Sequence, residues 1–311
     1  MNTRNVGLAL AFTTALISGV SIFLNAYAVR EFGNASLYTT AKNLVAAAIL
    51  LMFLVAATRS RSLAREGITR PRNAMQWLGL GLIGVVGGSL PFVLFFEGLA
   101  RASSTQAAFI QKTLVVWVAI LAIAFLRERF GVGHAVAIAL LMAGQIATQT
   151  GIANLRIGAG ELMVFAATLL WAVELVIAKS LLRSLSALTV GVARMAIGVI
   201  VLLAYGALSG LFAGLGAIGP QQWAWALVTG IILAAYVATW YSALARAQAV
   251  DVTAVLVFGA VVTAALDAGV RGVTPAPLVP GLALITAGTL AIAALALSRG
   301  APRAATVTQR G

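Results

Sequence analysis

Runs of apolar residues, each about as long as a lipid bilayer is thick, recur ten times along this chain of 311 residues. A membrane-spanning helix needs about 20 mostly apolar residues, because an α-helix rises only about 1.5 Å per residue. The ten predicted helices cover residues 6–29, 35–57, 76–97, 103–126, 132–150, 158–179, 187–210, 221–245, 250–270 and 278–298. The pattern predicts an all-α integral membrane protein in which short connections leave no room for a soluble domain.

Composition supports this prediction. Hydrophobic residues make up 61% of the chain and charged residues 9%, whereas water-soluble domains carry about 25% charged residues. A soluble fold of this length could not bury so much apolar surface. The net charge of +13 could suggest a nucleic-acid partner, but the basic residues flank the apolar runs, as membrane topology requires. The predicted partner is therefore the lipid bilayer and not a nucleic acid.

The distribution of lysine and arginine predicts the orientation of the chain. If the N-terminus is cytoplasmic, 14 of the 21 basic residues lie on the cytoplasmic side and four lie outside. Positive charge accumulates on the cytoplasmic side of membrane proteins, so we expect a cell inner (plasma) membrane protein with both termini in the cytoplasm. The remaining three basic residues lie within predicted helices: Lys42, Lys112 and Arg194.

The N-terminal run has a second interpretation. Ala26-Tyr27-Ala28 resembles the cleavage site of a signal peptide. The apolar run before it has about 24 residues, and the apolar part of a signal peptide usually has about 7–15. This length favours a retained helix.

Short matches indicate an internal repeat. Leu99-Ala100-Arg101-Ala102 recurs as Leu244-Ala245-Arg246-Ala247 at an offset of 145, and Ala41-Lys42 matches Ala193-Arg194 at an offset of 152. We therefore predict two halves, residues 1–150 and 151–311, within one integrated transmembrane domain. Because five is odd, the second half is inserted upside down. Inverted repeats are typical of transporters, whose substrate sites lie near the middle of the membrane where the halves meet.

Two motifs extend this comparison to a known family. They are LARASSTQAAFI, at residues 99–110, and Phe125-Leu126-Arg127-Glu128-Arg129-Phe130. With the ten helices and the repeat, they resemble the drug/metabolite transporter superfamily, in particular its EamA-type ten-helix exporters. The chain is most similar to the bacterial aromatic amino acid exporters. Two departures stand out: many relatives carry a proline within the stretch matching Thr113–Trp117, and the ninth helix lacks a second Leu-Arg-Glu-Arg ending.

This resemblance implies a secondary transporter that exports small metabolites, most similar in substrate to aromatic amino acids, by alternating access around a central cavity. An exporter of cationic drugs on the same fold is the alternative. The chain has no Gly-rich phosphate loop and no His-Glu-x-x-His pair, so we expect neither an enzyme nor a cofactor or metal site. His134, the single histidine, is predicted to lie at the membrane interface.

Charges inside a membrane are costly and indicate function. Glu174 and Arg194 lie at similar predicted depths in consecutive helices, so we predict an ion pair, either structural or linked to substrate or protons. Lys42 lies in the outer half of the second helix, where Glu97, Glu161 or Asp267 could neutralise it. Asp251, at the cytoplasmic start of the ninth helix, is predicted to cap that helix. Proton coupling through Glu174 or Asp267 and facilitated diffusion both stay open.

Lys112 is the leading candidate for contact with substrate. It lies near the middle of the fourth helix, at a level where no acidic residue is predicted. We predict that it faces a central aqueous cavity and binds a substrate carboxylate. The alternative is a packing lysine bonded to carbonyl groups or to Gln111.

An aromatic amino acid also needs partners for its ammonium group and its ring. Glu174 or an aromatic face could hold the ammonium group. Trp171, on the same helix face as Glu174, and the pair Tyr236 and Trp240 are the predicted aromatic contacts. Asn43 adds an amide in the outer half. The alternative for the aromatic residues is anchoring at the lipid interface.

Glycines in the third helix suggest movement. Gly84 and Gly88 form a GxxxG pattern, which lets helices approach closely, and Pro91 removes a backbone hydrogen bond. We predict a hinge at Gly87, Gly88 and Pro91 that gates the outer mouth of the cavity. Ordinary helix packing is the alternative.

Overall fold

The computed structural model describes residues 3–59, 68–99, 101–102, 104–148, 157–272 and 276–298. Every regular element within these ranges is a helix. Nine helical spans in them are long and apolar enough to cross a membrane, and Val132–Ala147 is a shorter apolar helix. These elements agree with the ten predicted helices. The predicted end of the fifth helix at residue 150, and the predicted boundary between the halves, lie outside the described residues.

We number the spans from one to ten along the chain. Seven spans are single helices: Thr3–Phe32, Ala35–Arg59, Val132–Ala147, Ala159–Leu181, Ala187–Leu208, Pro220–Arg246 and Val279–Ser298. The third, fourth and ninth spans are each interrupted. Their pieces are Ala74–Val86 with Leu90–Leu99, Ser104–Lys112 with Leu114–Leu121, and Ala249–Leu256 with Gly259–Arg271. The fourth span then ends in a widened, π-helical turn at Ala122–Leu126.

Two faces of the bundle are used as reference points below. The N-terminal face is the end at which the first span begins, at Thr3, and at which the tenth span ends, at Ser298. The opposite face is the end at which the first span finishes, at Phe32. Because the spans alternate in direction, the eighth span ends and the ninth begins at the N-terminal face.

Spans from the two predicted halves pack against each other. The first span packs on the eighth and ninth, and the third packs on the sixth and seventh. The fifth and tenth spans form another extensive contact, where Gly144 is so close that an added Cβ would lie 2.6 Å from the carbonyl oxygen of Gly281. Small residues permit this approach between helices in a membrane, where apolar burial alone does not drive association.

The third span is interrupted at Gly87-Gly88-Ser89, within the segment predicted to form a hinge. The N–H groups of Gly87 and Gly88 both donate to the carbonyl oxygen of Ile83, at 3.0 and 3.1 Å. The Ser89 hydroxyl donates to the carbonyl of Gly84 at 3.1 Å. Pro91 then occupies the first turn of the second piece, where its missing N–H costs no helical hydrogen bond. The gating role of this segment stays a prediction.

The fourth span was predicted to be continuous, and the structure interrupts it at Thr113. The Thr113 hydroxyl donates to the carbonyl of Ile110 at 2.6 Å and accepts from Trp117 Nε1 at 3.0 Å. A threonine hydroxyl bonded to its own helix competes with the regular backbone ladder and bends the helix. Neither glycine nor proline is needed for this interruption.

The ninth span is interrupted at the matching position of the second half. Phe258 N–H donates to Val255 O and Ala260 N–H to Val257 O, both at 3.0 Å, which is the tighter three-residue pattern. The repeat offset of 145 aligns Thr113 with Phe258. The two interruptions are therefore equivalent in the repeat, although the sequences at them differ.

Candidate functional site

An ionic network joins the sixth, seventh and eighth spans inside the bundle. Tyr241 donates its hydroxyl proton to Glu174 Oε1 at 2.5 Å, and Arg194 Nε lies 3.7 Å from the same oxygen. Glu174 is 5% exposed, so its carboxylate depends on these two partners for stabilisation. The predicted Glu174–Arg194 pair is present as a contact, and its role in transport stays a prediction.

The same network holds the interruption of the third span. Arg194 Nη2 donates to the carbonyl oxygen of Gly87 at 2.9 Å, and Trp171 Nε1 donates to the same oxygen at 3.2 Å. An interrupted helix leaves carbonyl groups without partners, which is tolerated in a membrane only where the protein satisfies them. Arg194 therefore couples the carboxylate of Glu174 to the backbone of the third span.

Contact between the third and sixth spans requires a glycine at position 87. A Cβ added to Gly87 would lie 2.1 Å from Cγ of Glu174, and one added to Gly88 would lie 2.5 Å from the carbonyl oxygen of Arg194. Real Cβ atoms do not approach so closely. The two predicted hinge glycines are thus positions at which the third span touches the charged residues directly.

Aromatic side chains lie next to this network. Trp171 contacts Phe92 edge-on, with ring centroids 5.4 Å apart, and Phe95 lies 5.7 Å away. Tyr236 and Trp240 are stacked, with centroids 6.0 Å apart and planes 12° apart. The predicted aromatic residues therefore lie inside the bundle and not at its ends. Trp240 is only 7% exposed, which is low for a residue anchored in lipid headgroups.

Lys112 is the last residue of the first piece of the fourth span, directly before the interruption at Thr113. It is half-buried, and no hydrogen bond or ion pair connects it to any residue that the structure describes. Gln111 is half-buried as well. Neither residue contacts the Glu174 network through a hydrogen bond within the described ranges.

Lys42 is a second buried lysine, and the expectation that an acidic residue neutralises it is wrong for the described residues. Glu97 pairs with Arg101 at 2.6 Å, Asp267 pairs with Arg271 at 2.9 Å, and Glu161 accepts from the N–H of Gly158 at 3.0 Å. Each predicted candidate is thus engaged at the opposite face, within one turn of its own helix. The nearest aromatic partner of Lys42 is the Tyr38 ring, whose centroid lies 5.0 Å from Nζ.

Asn43 is engaged within its own helix. Its side-chain nitrogen donates to the carbonyl oxygen of Thr39 at 2.7 Å, and the residue is 1% exposed. The amide keeps a second N–H and its carbonyl oxygen, but at 1% exposure the predicted contact with a substrate would require its neighbours to move.

Sequence reasoning missed a clamp around the connection between the eighth and ninth spans. Lys179 Nζ donates to the carbonyl oxygens of Leu244 and Ala247, at 2.5 and 2.6 Å. Glu128 accepts from the N–H groups of Ala249 and Val250, at 2.7 and 3.1 Å. A cation thus stabilises the end of one helix and an anion the start of the next, as the helix dipoles favour. We call these two residues and their four backbone partners the elbow clamp.

Glu128 lies outside the spans, in a mostly buried position. Burial raises the pKa of its carboxyl, while the N–H groups of Ala249 and Val250 and the Lys179 ammonium act in the opposite direction. The carboxyl therefore takes up a proton more readily than an exposed glutamate. Glu128 belongs to the Leu-Arg-Glu-Arg motif, and this was the available sequence signal.

A second charged cluster lies beside the clamp. Asp251 is 0% exposed, its Oδ2 lies 3.3 Å from Arg4 Nη2, and its Oδ1 lies 3.4 Å from His134 Nε2. Asp251 lies in the first turn of its helix, but the prediction that it caps the helix is wrong: the N-cap is Gln248, and Glu128 accepts from the first N–H groups. His134, in the first turn of the fifth span, is 1% exposed and so is buried within the protein, while its depth at the membrane interface stays a prediction. Its polar neighbour is Asp251, a contact that position along the sequence could not reveal.

A narrow cleft opens between the second, third and seventh spans, on the side of the opposite face. Hydroxyl groups line one wall and aromatic rings the other: Ser36, Thr39, Thr40, Phe92, Val93, Phe96, Leu202 and Tyr205. In the part of the chain that the structure describes, no group of three His, Asp or Glu side chains could hold a metal ion.

Sequence and structure comparisons agree with this architecture. The model of the EamA-like transporter family matches residues 5–148 and 158–294, which correspond to the two repeats and cover most of the chain. The chain belongs to the EamA-like transporter family. It is therefore a multi-pass membrane protein and a transporter of small molecules, with the two-repeat fold of that family.

Among solved structures, 29 chains match this EamA-like transporter significantly. One of them, described only as the crystal structure of a protein, has a TM-score of 0.72 at 18% sequence identity. The match covers 96% of this chain and 100% of the other. At this identity the likeness shows the fold alone. The comparison with curated proteins gave no significant match.

Proposed function

We propose that this EamA-like transporter exports small metabolites that carry a carboxylate, with aromatic amino acids as its substrates, across the cell inner membrane. The N-terminal face is cytoplasmic in this proposal, because most of the basic residues outside the spans lie there. Transport proceeds by alternating access, in which residues 1–150 and 151–311 form the two halves that move.

The observation that carries the proposal is the network of Glu174, Arg194 and Tyr241 on the interrupted third span. Arg194 binds a carbonyl oxygen that the interruption leaves open, at Gly87, and contacts Glu174 through its other side. Buried charges next to broken helices mark the substrate and ion pathways of transporters. A static scaffold would gain nothing from placing these costly groups there.

The charge of the substrate follows from Lys112. A lysine without an acidic partner, next to a second interrupted span, is suited to take a carboxylate from a ligand. The stacked rings of Tyr236 and Trp240, and the group around Trp171, supply flat apolar surfaces for an aromatic side chain. Glu174, or one of these ring faces, then receives the substrate ammonium group.

The alternative is an exporter of cationic drugs. Glu174, with the aromatic rings of Trp171 and Phe92 close by, provides an acidic and aromatic environment that suits an organic cation. In this alternative Lys112 does not contact substrate. The driving force is a separate question, because Glu174 could exchange protons during transport or the substrate could simply follow its gradient.

Uptake into proteoliposomes tests the proposal. We expect purified protein to transport phenylalanine or tryptophan and not quaternary ammonium dyes. Transport of the dyes alone would establish the cationic alternative. The same vesicles, assayed with and without a pH gradient, separate proton coupling from facilitated diffusion.

The variant Lys112→Met tests the substrate contact directly. Losing one partner of a desolvated ion pair weakens binding by about 2 kcal/mol or more, which is roughly thirtyfold. We therefore expect a large fall in phenylalanine uptake, while Lys112→Arg keeps part of it. Arg183→Met, which removes an exposed charge, is the matched control. Wild-type uptake by folded Lys112→Met protein would remove this residue from the site.

A further inference from the structure

The second span carries a buried cation that no described residue neutralises. Lys42 is 8% exposed, and none of the five ion pairs within the described ranges includes it. Its ammonium group lies over the Tyr38 ring, 5.0 Å from the centroid. A ring face stabilises a cation only in part, so Lys42 retains the capacity to bind an anion.

The internal repeat explains why Lys42 lacks a partner. The offset of 152 aligns Lys42 with Arg194, and offsets of 152 and 153 align Glu174 with Ile22 and Ser21. The second half therefore contains both a cation and its acid, whereas the first half has kept the cation and has no acid at either matching position. Among the residues that the structure describes, no carboxylate balances the charge of Lys42.

A hydroxyl group close to Lys42 also lacks a partner. Thr39 is 2% exposed, its Oγ1 is buried without a hydrogen bond, and the residue lines the cleft between the second, third and seventh spans. Its neighbour Thr40 differs, because the Thr40 hydroxyl donates to the carbonyl of Ser36 at 2.9 Å. Buried hydroxyl groups are nearly always hydrogen-bonded, so the orphaned Oγ1 indicates a group that arrives from the cleft.

Helix geometry brings the two residues together. Lys42 follows Thr39 by three positions, which places them within about 60° of each other around the helix axis. Side chains of a helix point back towards its start, and the contact of Lys42 with Tyr38, four residues earlier, shows that Lys42 does so. The ammonium group therefore lies near the level of Thr39.

The third span leaves this region open. Its second piece, Leu90–Leu99, packs mainly on the sixth span and touches the second and seventh spans only slightly. The cleft between these three spans has room for little more than a water molecule in this conformation. It can thus admit one small polar group, and a whole amino acid only if the third span moves further.

We propose that Lys42 and Thr39 form a second binding subsite for the carboxylate of the transported substrate, between the centre of the bundle and the opposite face. The Lys42 ammonium forms the ion pair and the Thr39 hydroxyl donates a hydrogen bond to the same carboxylate. The substrate passes from Lys112 to this subsite as the third span opens the cleft. This inference rests on the proposed function, since it concerns the same substrate.

A chemical test uses the absence of cysteine from the natural chain. Thr39→Cys introduces a single thiol of nearly unchanged size. On the purified full-length protein, we measure how fast this thiol reacts with an anionic and with a cationic methanethiosulfonate. Each rate is divided by the rate of the same reagent with free cysteine, and the two normalised rates are compared as a ratio. We expect the anionic reagent to be favoured on the order of tenfold, because Lys42 attracts it. Adding Lys42→Met should bring the ratio near one, whereas Lys42→Arg should preserve it.

Protection experiments identify the anion. We expect phenylalanine to slow the labelling of Thr39→Cys, and phenylalanine amide, which lacks the carboxylate, to have no effect. Protection by chloride alone would show an inorganic anion site and overturn the assignment to substrate.

The labelling ratio does not depend on transport. Suppose that the Thr39→Cys protein with Lys42 intact elutes from gel filtration like the wild type but gives a ratio near one. This result would overturn the subsite even if phenylalanine is transported. Conversely, a protein that shows the anionic preference but neither transports nor binds aromatic amino acids would contradict the proposed function and its substrate subsite, and leave only an anion site.

Discussion

The elbow clamp and the region around Lys42 differ in how they treat a buried lysine. At the N-terminal face, Lys179 bonds two carbonyl oxygens and has Glu128 close by. In the second span, Lys42 has only the face of a tyrosine ring. Lys179 completes the backbone bonding at the end of the eighth span. Lys42 serves no structural bond in the described residues, which is what a residue awaiting a ligand would show.

The same substitution in both regions should therefore have opposite consequences for stability. Lys179→Met leaves the carbonyls of Leu244 and Ala247 without their donor, and each buried orphan costs about 1–3 kcal/mol. We expect a clear fall in the thermal unfolding temperature, measured in detergent. Lys42→Met removes an unpaired buried charge, so its unfolding temperature should be unchanged or higher.

Arg183→Met is the control for the loss of a positive charge near Lys179, because Arg183 is exposed. If Lys42→Met destabilises the protein as strongly as Lys179→Met, the contrast between the two regions is wrong. Lys42 would then have a structural role that its contacts do not reveal.

The next largest effect is expected where the third span touches the charged network. Gly87→Ala places a Cβ 2.1 Å from Glu174 Cγ, and such overpacking costs about 1–3 kcal/mol. Transport should fall with stability, because the contacts of Arg194 and Trp171 with Gly87 must shift. Gly81→Ala, in the same helix but with open space around its Cβ, should be neutral or slightly stabilising. Equal unfolding temperatures for the two variants would contradict the tight contact.

The smallest effect concerns the orphaned hydroxyl. Thr39→Val keeps the shape of the side chain and removes a buried group without a partner, so stability should stay within about 1 kcal/mol of the wild type or rise. Phenylalanine binding should weaken a few-fold, as expected for one lost hydrogen bond. Thr168→Val is the control, since Thr168 Oγ1 donates to Val164 O at 2.8 Å. Radioligand binding and thermal unfolding, measured together, would distinguish the two threonines.

The sequence predicted the helices well and their interruptions poorly. Apolar length reports directly on the bilayer, so all ten spans could be located. The third span contains glycines and a proline, and its interruption falls within the segment Gly87–Pro91 that was predicted to form a hinge. The fourth span breaks at Thr113, with no glycine or proline beside it, and the ninth breaks at Val257-Phe258, where Gly259 alone gave a weak signal. Their breaks depend on hydroxyl bonding and on packing against other spans, which local sequence does not encode.

Among the charged residues, likewise, some contacts could be predicted from the sequence and others could not. Comparing depths was enough to pair Glu174 with Arg194, because both partners are side chains with opposite charge. Lys179 and Glu128 bind backbone groups, which every residue carries, and so their partners leave no pattern in the sequence. The burial of His134 was not predicted, because its contact with Asp251 joins the fifth span to the ninth, and local sequence does not encode such a contact.

The equal lengths of the two interrupted spans have a mechanical consequence. From each break to the far end there are 13 residues, 114–126 in the fourth span and 259–271 in the ninth. These two segments are each about 20 Å long and point to opposite surfaces of the membrane. A tilt of about 10° at either interruption would move the far end of its segment by roughly 3 Å, which is about the width of a water molecule. In the proposed alternating access, equal tilts of the two segments would therefore produce equal displacements at the two membrane surfaces.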